Sequence, residues 1–221
     1  MSAGEPLIRW DWIGSHSDEI GFRLVEHVEL TAIAVVVGFL IAFGLSLLIL
    51  RLPRLEGPVT WITGTLYTIP SLALFALLIP YTGLTILSAE IGLVSYTLLI
   101  LIRNIVRGIR DVPADVREAA TGMGYDGRER FWRVEVPLAT AVIIAGIRVA
   151  TISTIGLVTV TALIGQGGFG YLILIGIQRF FSTELIVGAI CSVALAIAAD
   201  ALLVLAQRRL TPWTRAGMER G

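Results

Sequence analysis

Long apolar segments separated by short polar connections form the main pattern of this chain. Residues 31–50 contain no charged side chain, and comparable segments follow at residues 59–79, 85–106, 138–164 and 185–206. A helix needs about 20 mainly apolar residues to cross the hydrocarbon core of a bilayer. The pattern therefore predicts an all-α integral membrane protein with about five transmembrane helices.

Two further segments do not fit a full crossing. Residues 171–177 are apolar but too short to span, so we expect a re-entrant or interfacial helix there. Residues 1–27 carry acidic side chains together with Trp10 and Trp12, and they lack the basic-then-apolar pattern of a cleavable leader. We interpret this segment as a tail or short interfacial helix, which the two tryptophans can anchor at headgroup level.

The basic residues are distributed unequally between the two sides of the predicted membrane domain. Of the 17 basic residues, all of them arginine, 13 follow the first, third and fifth segments, and three fall on the opposite side. Because cytoplasmic loops carry an excess of arginine and lysine, the N-terminus is predicted outside and the C-terminus in the cytoplasm. The predicted organisation is an extracytoplasmic N-terminal segment (1–27), a transmembrane domain (28–212) with a cytoplasmic loop (108–137), and a cytoplasmic tail (213–221).

Composition narrows the function classes. Hydrophobic residues make up 56% and charged residues 15% of the 221 residues, whereas soluble domains carry roughly 25% charged residues. The formal net charge is zero, so no overall basic field would attract nucleic acid. The sequence has no lysine and hence no P-loop, so ATP hydrolysis by this chain is not expected. His16 and His27 lack neighbouring ligand residues, and no catalytic constellation is evident, so neither a metal nor another cofactor is expected.

The cytoplasmic loop carries the signals of two short helices separated by a tight turn. Pro113 suits a first helical position, and Gly122 and Gly124 suit a helix end, because glycine adopts positive φ without steric cost. Asp126 can cap a second helix, and Glu129, three residues later, completes a capping-box pattern. A rigid element of this kind on the cytoplasmic face is suited to docking a partner protein. The alternative is a solvated amphipathic hairpin without a partner.

In this loop the chain resembles the permease subunits of ABC importers, whose EAA loop has the same order and spacing of residues. The matching residues are Glu118, Ala119, Ala120, Gly124, Val134, Val136 and Pro137. The family usually ends this motif with Ile-x-Leu-Pro, so both aliphatic positions are valine here. The resemblance implies that the loop couples the membrane helices to an ATP-binding subunit, with Glu118 making polar contacts and Gly124 forming the sharp turn.

The resemblance covers about residues 28–212 and favours the osmoprotectant branch, whose substrates include glycine betaine, choline, carnitine and proline. Residues 69–74, 103–104, 145–148 and 164–170 carry it, with Gln166 where the family usually has alanine. It implies the type I importer permease fold in the bacterial cytoplasmic membrane. The implied partners are two ATP-binding subunits, a second identical or homologous permease and an extracytoplasmic solute-binding protein. Permeases for methionine and other amino acids share the EAA loop, so an amino-acid importer is the alternative.

Three residues are candidates for the translocation pathway or its gate: Pro70, Ser71 and Arg148. Pro70 lies inside the second segment and must interrupt helical hydrogen bonding there, which fits either a flexible pathway-lining segment or an ordinary kink. Arg148 lies well inside the fourth segment, where an arginine needs a partner or water. We expect it to form an ion pair with Asp200 or Glu90 rather than to contact substrate.

The connection after the fourth segment is rich in glycine. Gly165, Gly167 and Gly170 have the spacing of a dinucleotide-binding motif, but they follow a membrane helix instead of a strand, so we reject nucleotide binding. Together with Gly168 they are predicted to form a tight outer turn that contacts the solute-binding protein. A stand-alone channel or ion-coupled carrier is the rival hypothesis, although only Arg148 and Asp200 supply charge well inside the spans.

Overall fold

The computed structural model describes residues 6–213, and the regular elements in this range are all helical. The α-helices are α1 (Trp10–Ser15), α2 (Ser17–Arg51), α3 (Glu56–Thr68), α4 (Ser71–Thr82), α5 (Ile86–Arg110), α6 (Ala114–Gly122), α7 (Gly127–Arg130), α8 (Val136–Val158), α9 (Phe169–Gln178) and α10 (Ser182–Leu210). Short 3₁₀ segments occupy Pro53–Leu55 and Thr159–Ile164, and a π-helical turn occupies Phe131–Glu135.

Four helical stretches are long and apolar enough to cross a membrane, and a bent pair makes a fifth when its two helices are counted as one span. The four are α2, α5, α10 and the continuous stretch Gly127–Ile164, which includes α8. The pair consists of Pro53–Thr68 and Ser71–Thr82, which meet at an angle of 97°. The prediction of an all-helical protein with about five spans is confirmed.

The second span is broken rather than kinked. Ile69 and Pro70 both have extended backbone, with ψ angles of 129° and 131°, so α3 ends before them and α4 begins after them. Proline disfavours helical geometry at the residue before it and donates no hydrogen bond itself. The freed carbonyl of Ile69 accepts a hydrogen bond from the hydroxyl of Tyr96 on α5. The interruption expected at Pro70 is therefore a sharp break, and the Tyr96 hydrogen bond ties it to α5.

Helices α2, α5 and α8 form the centre of the fold. Their shared apolar cluster contains Ala42, Leu101, Ile105, Ala139 and Ala150, each no more than 1% exposed. Glycines bring the helices close together: a Cβ atom built on Gly38 would lie 2.0 Å from the Thr97 hydroxyl oxygen, and one on Gly146 would lie 2.5 Å from the Asn104 Cβ. Small residues allow such close approach in membrane proteins, where tight packing drives helix association.

The N-terminal segment, predicted as a tail or short interfacial helix, is helical from Trp10. Residues 17–27 are continuous with the apolar part of α2, whose 35 residues are more than the roughly 20 that a crossing needs. The preceding α1 is a separate short helix that packs near the start of α10: the Arg9 amide donates to the Thr183 hydroxyl at 3.0 Å, and the Trp12 and Phe181 rings lie 5.5 Å apart. The predicted cytoplasmic tail (213–221) lies outside the described residues, apart from Trp213.

Helix α9 is the short apolar helix predicted around residues 171–177, and it packs against α10. Gly176 makes this contact possible, because a Cβ atom there would lie 2.5 Å from the backbone nitrogen of Leu185. On the other side of α10, large apolar side chains such as Val193, Ile197 and Leu202 are at least 60% exposed. An apolar surface of this kind at membrane depth is suited to contact with lipid.

Candidate functional site

The loop between α5 and α8 folds as two short helices joined by a tight turn, as predicted. Helix α6 ends in a Schellman motif: the amide of Tyr125 donates to the Ala120 carbonyl at 3.2 Å, and that of Gly124 donates to the Thr121 carbonyl at 3.0 Å. Gly124 has φ +90°, a conformation that favours glycine, whereas Gly122 is the last helical residue and has no positive φ. The sharp turn therefore depends on Gly124 alone of these two glycines.

The start of α7 carries half of the predicted capping box. The Asp126 Oδ1 atom accepts hydrogen bonds from the amides of Arg128 at 2.8 Å and Glu129 at 2.7 Å. The carboxylate of Glu129 instead lies 3.7 Å from the Arg133 guanidinium. Asp126 thus fixes the direction in which the chain enters α7, whereas the Glu129 side chain takes no part in capping this helix.

The C-terminal part of α6 and its turn present an exposed strip, which we call the coupling surface: Glu118, Ala119, Gly122, Met123 and Gly124. All five residues are exposed, and the Met123 side chain projects with 70% of its surface accessible. Residues four apart on a helix lie on one face, which aligns the first four residues in two adjacent rows. Ala120, the remaining residue of the predicted Glu-Ala-Ala motif, is only 1% exposed. Its side chain packs inward, beneath the exposed strip.

Glu135 holds the loop together from behind. Its side chain is 10% exposed and lies 3.0 Å from the Nε atom of Arg130 and 3.7 Å from that of Arg117. Arg130 also donates to the Thr121 hydroxyl at 3.1 Å, and Arg117 donates to the Ile109 carbonyl at 2.6 Å. One carboxylate therefore joins α6, α7 and the end of α5. Sequence reasoning missed Glu135, which stands at the variable position between Val134 and Val136.

Val134, Val136 and Pro137 lie where the loop joins the membrane span. Val134 and Val136 are half-buried, and Val136 packs on the central apolar cluster. Pro137 was expected to mark the start of the fourth span, but the helical stretch runs unbroken from Gly127 to Ile164. The π-helical turn Phe131–Glu135 immediately precedes this proline. Such turns relax the regular hydrogen-bond ladder, which accommodates a residue that cannot donate.

Arg148 forms a bidentate ion pair with Asp200 across α8 and α10. The two nitrogen–oxygen distances are 2.8 Å and 3.0 Å, and Gln207 contributes a longer contact at 3.4 Å. Of the two partners predicted for Arg148, the structure selects Asp200. Both carboxylate oxygens of Glu90, the other candidate, are buried without a hydrogen-bond partner among residues 6–213.

Pro70 and Ser71 lie at the break between α3 and α4, next to a groove along α3 that is lined by both apolar and polar side chains. This groove has a volume of about 830 Å³ and is lined by Thr60, Trp61, Thr65, Tyr67 and Thr68, together with glycines of α3 and with Arg103 of α5. An arginine at membrane depth is costly against lipid, and Arg103 lies in an apolar segment of spanning length. This face is therefore suited to an aqueous path or to a partner subunit.

The glycine-rich connection packs tightly on α2. Gly167, Gly168 and Gly170 are buried, and a Cβ atom on any of them would lie 2.5 Å or less from another segment. Gly165 is exposed, with open space around its Cα atom. Of the four glycines predicted to contact a binding protein, three thus serve close packing, and Gly165 is the one at the surface.

Two side chains of α2 hold this connection in place. The amide of Phe169 donates to the Nδ1 atom of buried His27 at 3.3 Å, so the proton is on Nε2, which lies 3.0 Å from the Ile155 carbonyl. The carboxylate of Glu26 accepts a hydrogen bond from the Gly167 amide at 3.3 Å. Neither residue was identified as structural from the sequence, because their partners lie about 140 residues away.

Comparisons with known proteins were consistent over nearly the whole chain. Residues 34–216 match the family described as binding-protein-dependent transport system inner membrane component. The chain is 37% identical to a choline transport system permease of Bacillus subtilis over 95% of both chains. It is 35% identical to a glycine betaine/carnitine/choline transport system permease of the same organism over 94% of this chain and 96% of the relative. An osmoprotectant import permease of Salmonella typhimurium is 39% identical, with 85% of this chain and 89% of the relative covered.

Solved structures support the fold independently. A chain from inward-facing crystals of the MetNI methionine ABC transporter superposes with a TM-score of 0.76 and 20% identity, covering 87% of this chain and 96% of that one. An amino acid ABC transporter gives the same TM-score with 18% identity. At this level of identity the likeness establishes the type I importer permease fold and leaves the substrate open.

Proposed function

Because the chain belongs to the family of binding-protein-dependent transport system inner membrane components, we propose that it is the permease subunit of an ABC importer for a small quaternary-ammonium osmoprotectant, such as choline, glycine betaine or carnitine. It is a multi-pass protein of the bacterial inner membrane. The observation that carries the proposed substrate class is the identity of 35–39% to osmoprotectant permeases over most of both chains. The similarity to methionine and amino acid transporters is lower and concerns the fold.

The groove along α3 supports this substrate class on chemical grounds. Trp61 is 72% exposed and Tyr67 is 41% exposed in its wall, and the Tyr67 ring makes an edge contact with Tyr96 at 5.9 Å. Aromatic faces attract quaternary ammonium groups, whose charge is spread over methyl groups that cannot donate hydrogen bonds. A carboxylate or hydroxyl group of the solute can accept a hydrogen bond from the Thr60 hydroxyl or the Arg103 guanidinium of the same wall.

The open shape of this groove supports pairing with a second permease. The groove lies on the outer surface of a single chain, so a second copy or a homologue would be needed to enclose it. In this proposal Pro70 and Ser71 lie at the edge of the enclosed pathway. Arg148 is satisfied by Asp200 and serves a structural role.

The coupling surface is the proposed docking site for an ATP-binding subunit, which would carry out the hydrolysis. Glu118 offers a carboxylate, Met123 a projecting apolar knob, and Ala119 and Gly124 leave room for close approach. The Glu135 cluster behind this surface would pass a displacement of α6 on to α5 and α8. The solute-binding protein would deliver the solute on the opposite face, where Gly165 is exposed. Differential binding of both partners to inward- and outward-open states would then drive alternating access.

Reconstitution tests this function directly. The permease, its ATP-binding subunit and its binding protein are placed in proteoliposomes, and uptake of labelled choline, glycine betaine, carnitine and methionine is measured with and without ATP. We expect ATP-dependent uptake of at least one quaternary ammonium solute, and no uptake of methionine. Glu118→Ala should reduce the uptake, whereas Asp111→Asn, which alters an exposed carboxylate outside α6, should leave it unchanged. Uptake that persists without the ATP-binding subunit would instead identify a stand-alone carrier.

A further inference from the structure

A large basic cleft lies behind the coupling loop, between it and the ends of α2 and α5. Its volume is about 890 Å³. Five arginines line it: Arg51 at the end of α2, Arg110 at the end of α5, and Arg117, Arg128 and Arg130 from the loop. The residues of the coupling surface do not take part in its walls. The cleft is therefore a second polar feature on the same end of the molecule, separate from the proposed docking site.

The positive charge of the cleft is only partly neutralised. Glu56 pairs with Arg110 at 2.8 Å, and Glu135 is shared between Arg117 and Arg130, which leaves an excess of three positive charges. Arg51 and Arg128 have no side-chain hydrogen bond or ion pair within residues 6–213. Arginines without counter-charges repel one another, so an anion bound in the cleft would lower the electrostatic repulsion between them. Guanidinium groups also match the geometry of phosphate oxygens.

The other wall of the cleft is apolar. It consists of Leu47 and Leu50 in the last turns of α2, together with Phe131 and Trp132 of the π-helical turn. The Trp132 side chain is 48% exposed, and its ring lies 6.0 Å from that of Phe43, which is also on α2. Tryptophan is enriched at the boundary between headgroups and hydrocarbon. The cleft thus has cations where a headgroup would lie and apolar side chains where the first carbons of an acyl chain would follow.

We propose that this cleft binds an anionic phospholipid of the leaflet on the coupling-loop side, with its phosphate between Arg51 and Arg128 and the start of an acyl chain against Leu50 and Trp132. A soluble anion would use the arginines but leave the apolar wall unpaired. A protein partner could pair with the arginines, but Leu47 and Leu50 belong to an apolar helix of membrane-spanning length, where lipid is the natural neighbour. Basic pockets between membrane helices are an established form of lipid site. The bound headgroup would lie beside Arg117 and Arg130, the two arginines that position the coupling loop.

A titration with a matched control tests the proposal. The purified chain is exchanged into phosphatidylcholine and titrated with phosphatidylglycerol, and bound lipid is counted by native mass spectrometry. Near a membrane surface an arginine contributes about 1 kcal/mol to anionic lipid binding, equivalent to about fivefold in affinity. We expect Arg51→Gln and Arg128→Gln each to weaken binding about fivefold and the double variant roughly 25-fold. Arg51→Lys should retain binding, which separates loss of charge from misfolding.

Arg54→Gln is the control, because Arg54 is exposed, lies three residues from Arg51 and does not line the cleft. We expect it to change the affinity less than twofold. Equal losses for Arg51→Gln and Arg54→Gln would mean diffuse surface attraction and would overturn the proposal. So would complete displacement of the lipid by inorganic phosphate. The same variants are also co-purified with the ATP-binding subunit. Unchanged lipid binding combined with loss of that subunit would reassign the arginines to a protein interface.

Discussion

Replacing Glu135 by glutamine tests whether a single buried carboxylate positions the coupling loop. The substitution keeps the shape of the side chain but removes the charge that lies 3.0 Å from Arg130 and 3.7 Å from Arg117. Removing one member of a buried pair costs about 3–5 kcal/mol. The two arginines here are 32% and 34% exposed, so water can compensate part of the loss. We therefore expect a cost of about 2 kcal/mol, confined to the loop.

A cost of about 2 kcal/mol corresponds to roughly a 30-fold rise in the population of the detached loop. Hydrogen–deuterium exchange should show this rise as faster exchange of the amides in α6 and α7, with α2 and α5 unchanged. ATP-driven uptake should fall while the amount of assembled protein stays the same. Glu129→Gln is the matched control, because Glu129 lies on the same loop, is 41% exposed and faces Arg133 at 3.7 Å. An exposed pair of this kind contributes less than about 1 kcal/mol.

The double variant Glu135→Gln/Arg130→Gln separates the interaction from the two side chains. If the pair acts as a unit, the second substitution should add little to the first, which gives a coupling energy of about 1–2 kcal/mol. The reasoning would be refuted if Glu135→Gln exchanged and transported like Glu129→Gln. Independent, additive effects of Glu135 and Arg130 would equally contradict it.

Three further substitutions test other parts of the structure. Gly124→Val should weaken binding of the ATP-binding subunit in co-purification, because φ +90° is strained for valine. Gly21→Ala, at an exposed position of α2 with open space around it, is the control and should leave this binding unchanged. Asp200→Asn should lower the melting temperature in detergent by leaving Arg148 unpaired, at a cost of about 2 kcal/mol, and the double variant Arg148→Leu/Asp200→Leu should recover part of the loss. Gly168→Ala should prevent stable expression, measured by size-exclusion profile, because its Cβ atom would lie 2.5 Å from α2.

The spans could be predicted from the sequence because membrane crossing depends on local length and hydropathy, which each segment carries by itself. The position of the break at Pro70 could be predicted from the sequence. Its angle of 97° could not, because it also depends on Tyr96 of α5. The apolar part of the fourth span begins at Pro137 as predicted, but the helical continuity before it was not, because it depends on a π-helical turn. The continuity of residues 17–27 with α2 was not predicted, because their charged side chains gave no sign of a helix that extends beyond the apolar segment.

In the candidate site, too, features that depend on nearby residues were predictable and those that depend on distant residues were not. The turn at Gly124 and the cap at Asp126 depend on bonds within a few residues, so the spacing of glycine and aspartate revealed both. Glu135 depends on Arg117, which lies on another helix, and no periodicity in the sequence connects the two. The glycine-rich connection shows the opposite error. Its spacing suggested an outer contact surface, but three of its four predicted glycines face inward toward neighbouring segments.

Helix α5 links the coupling loop to the break in the second span. At one end its Ile109 carbonyl accepts a hydrogen bond from Arg117 of the loop, and further along its Tyr96 hydroxyl donates to Ile69 at the break. The two points are 13 residues apart in the sequence, about 20 Å along a helix. A helix of this length is stiff, whereas Ile69 and Pro70 have extended backbone between two helices. A displacement that enters at the loop would therefore pass along α5 with little loss and be taken up where α3 meets α4, beside the groove along α3.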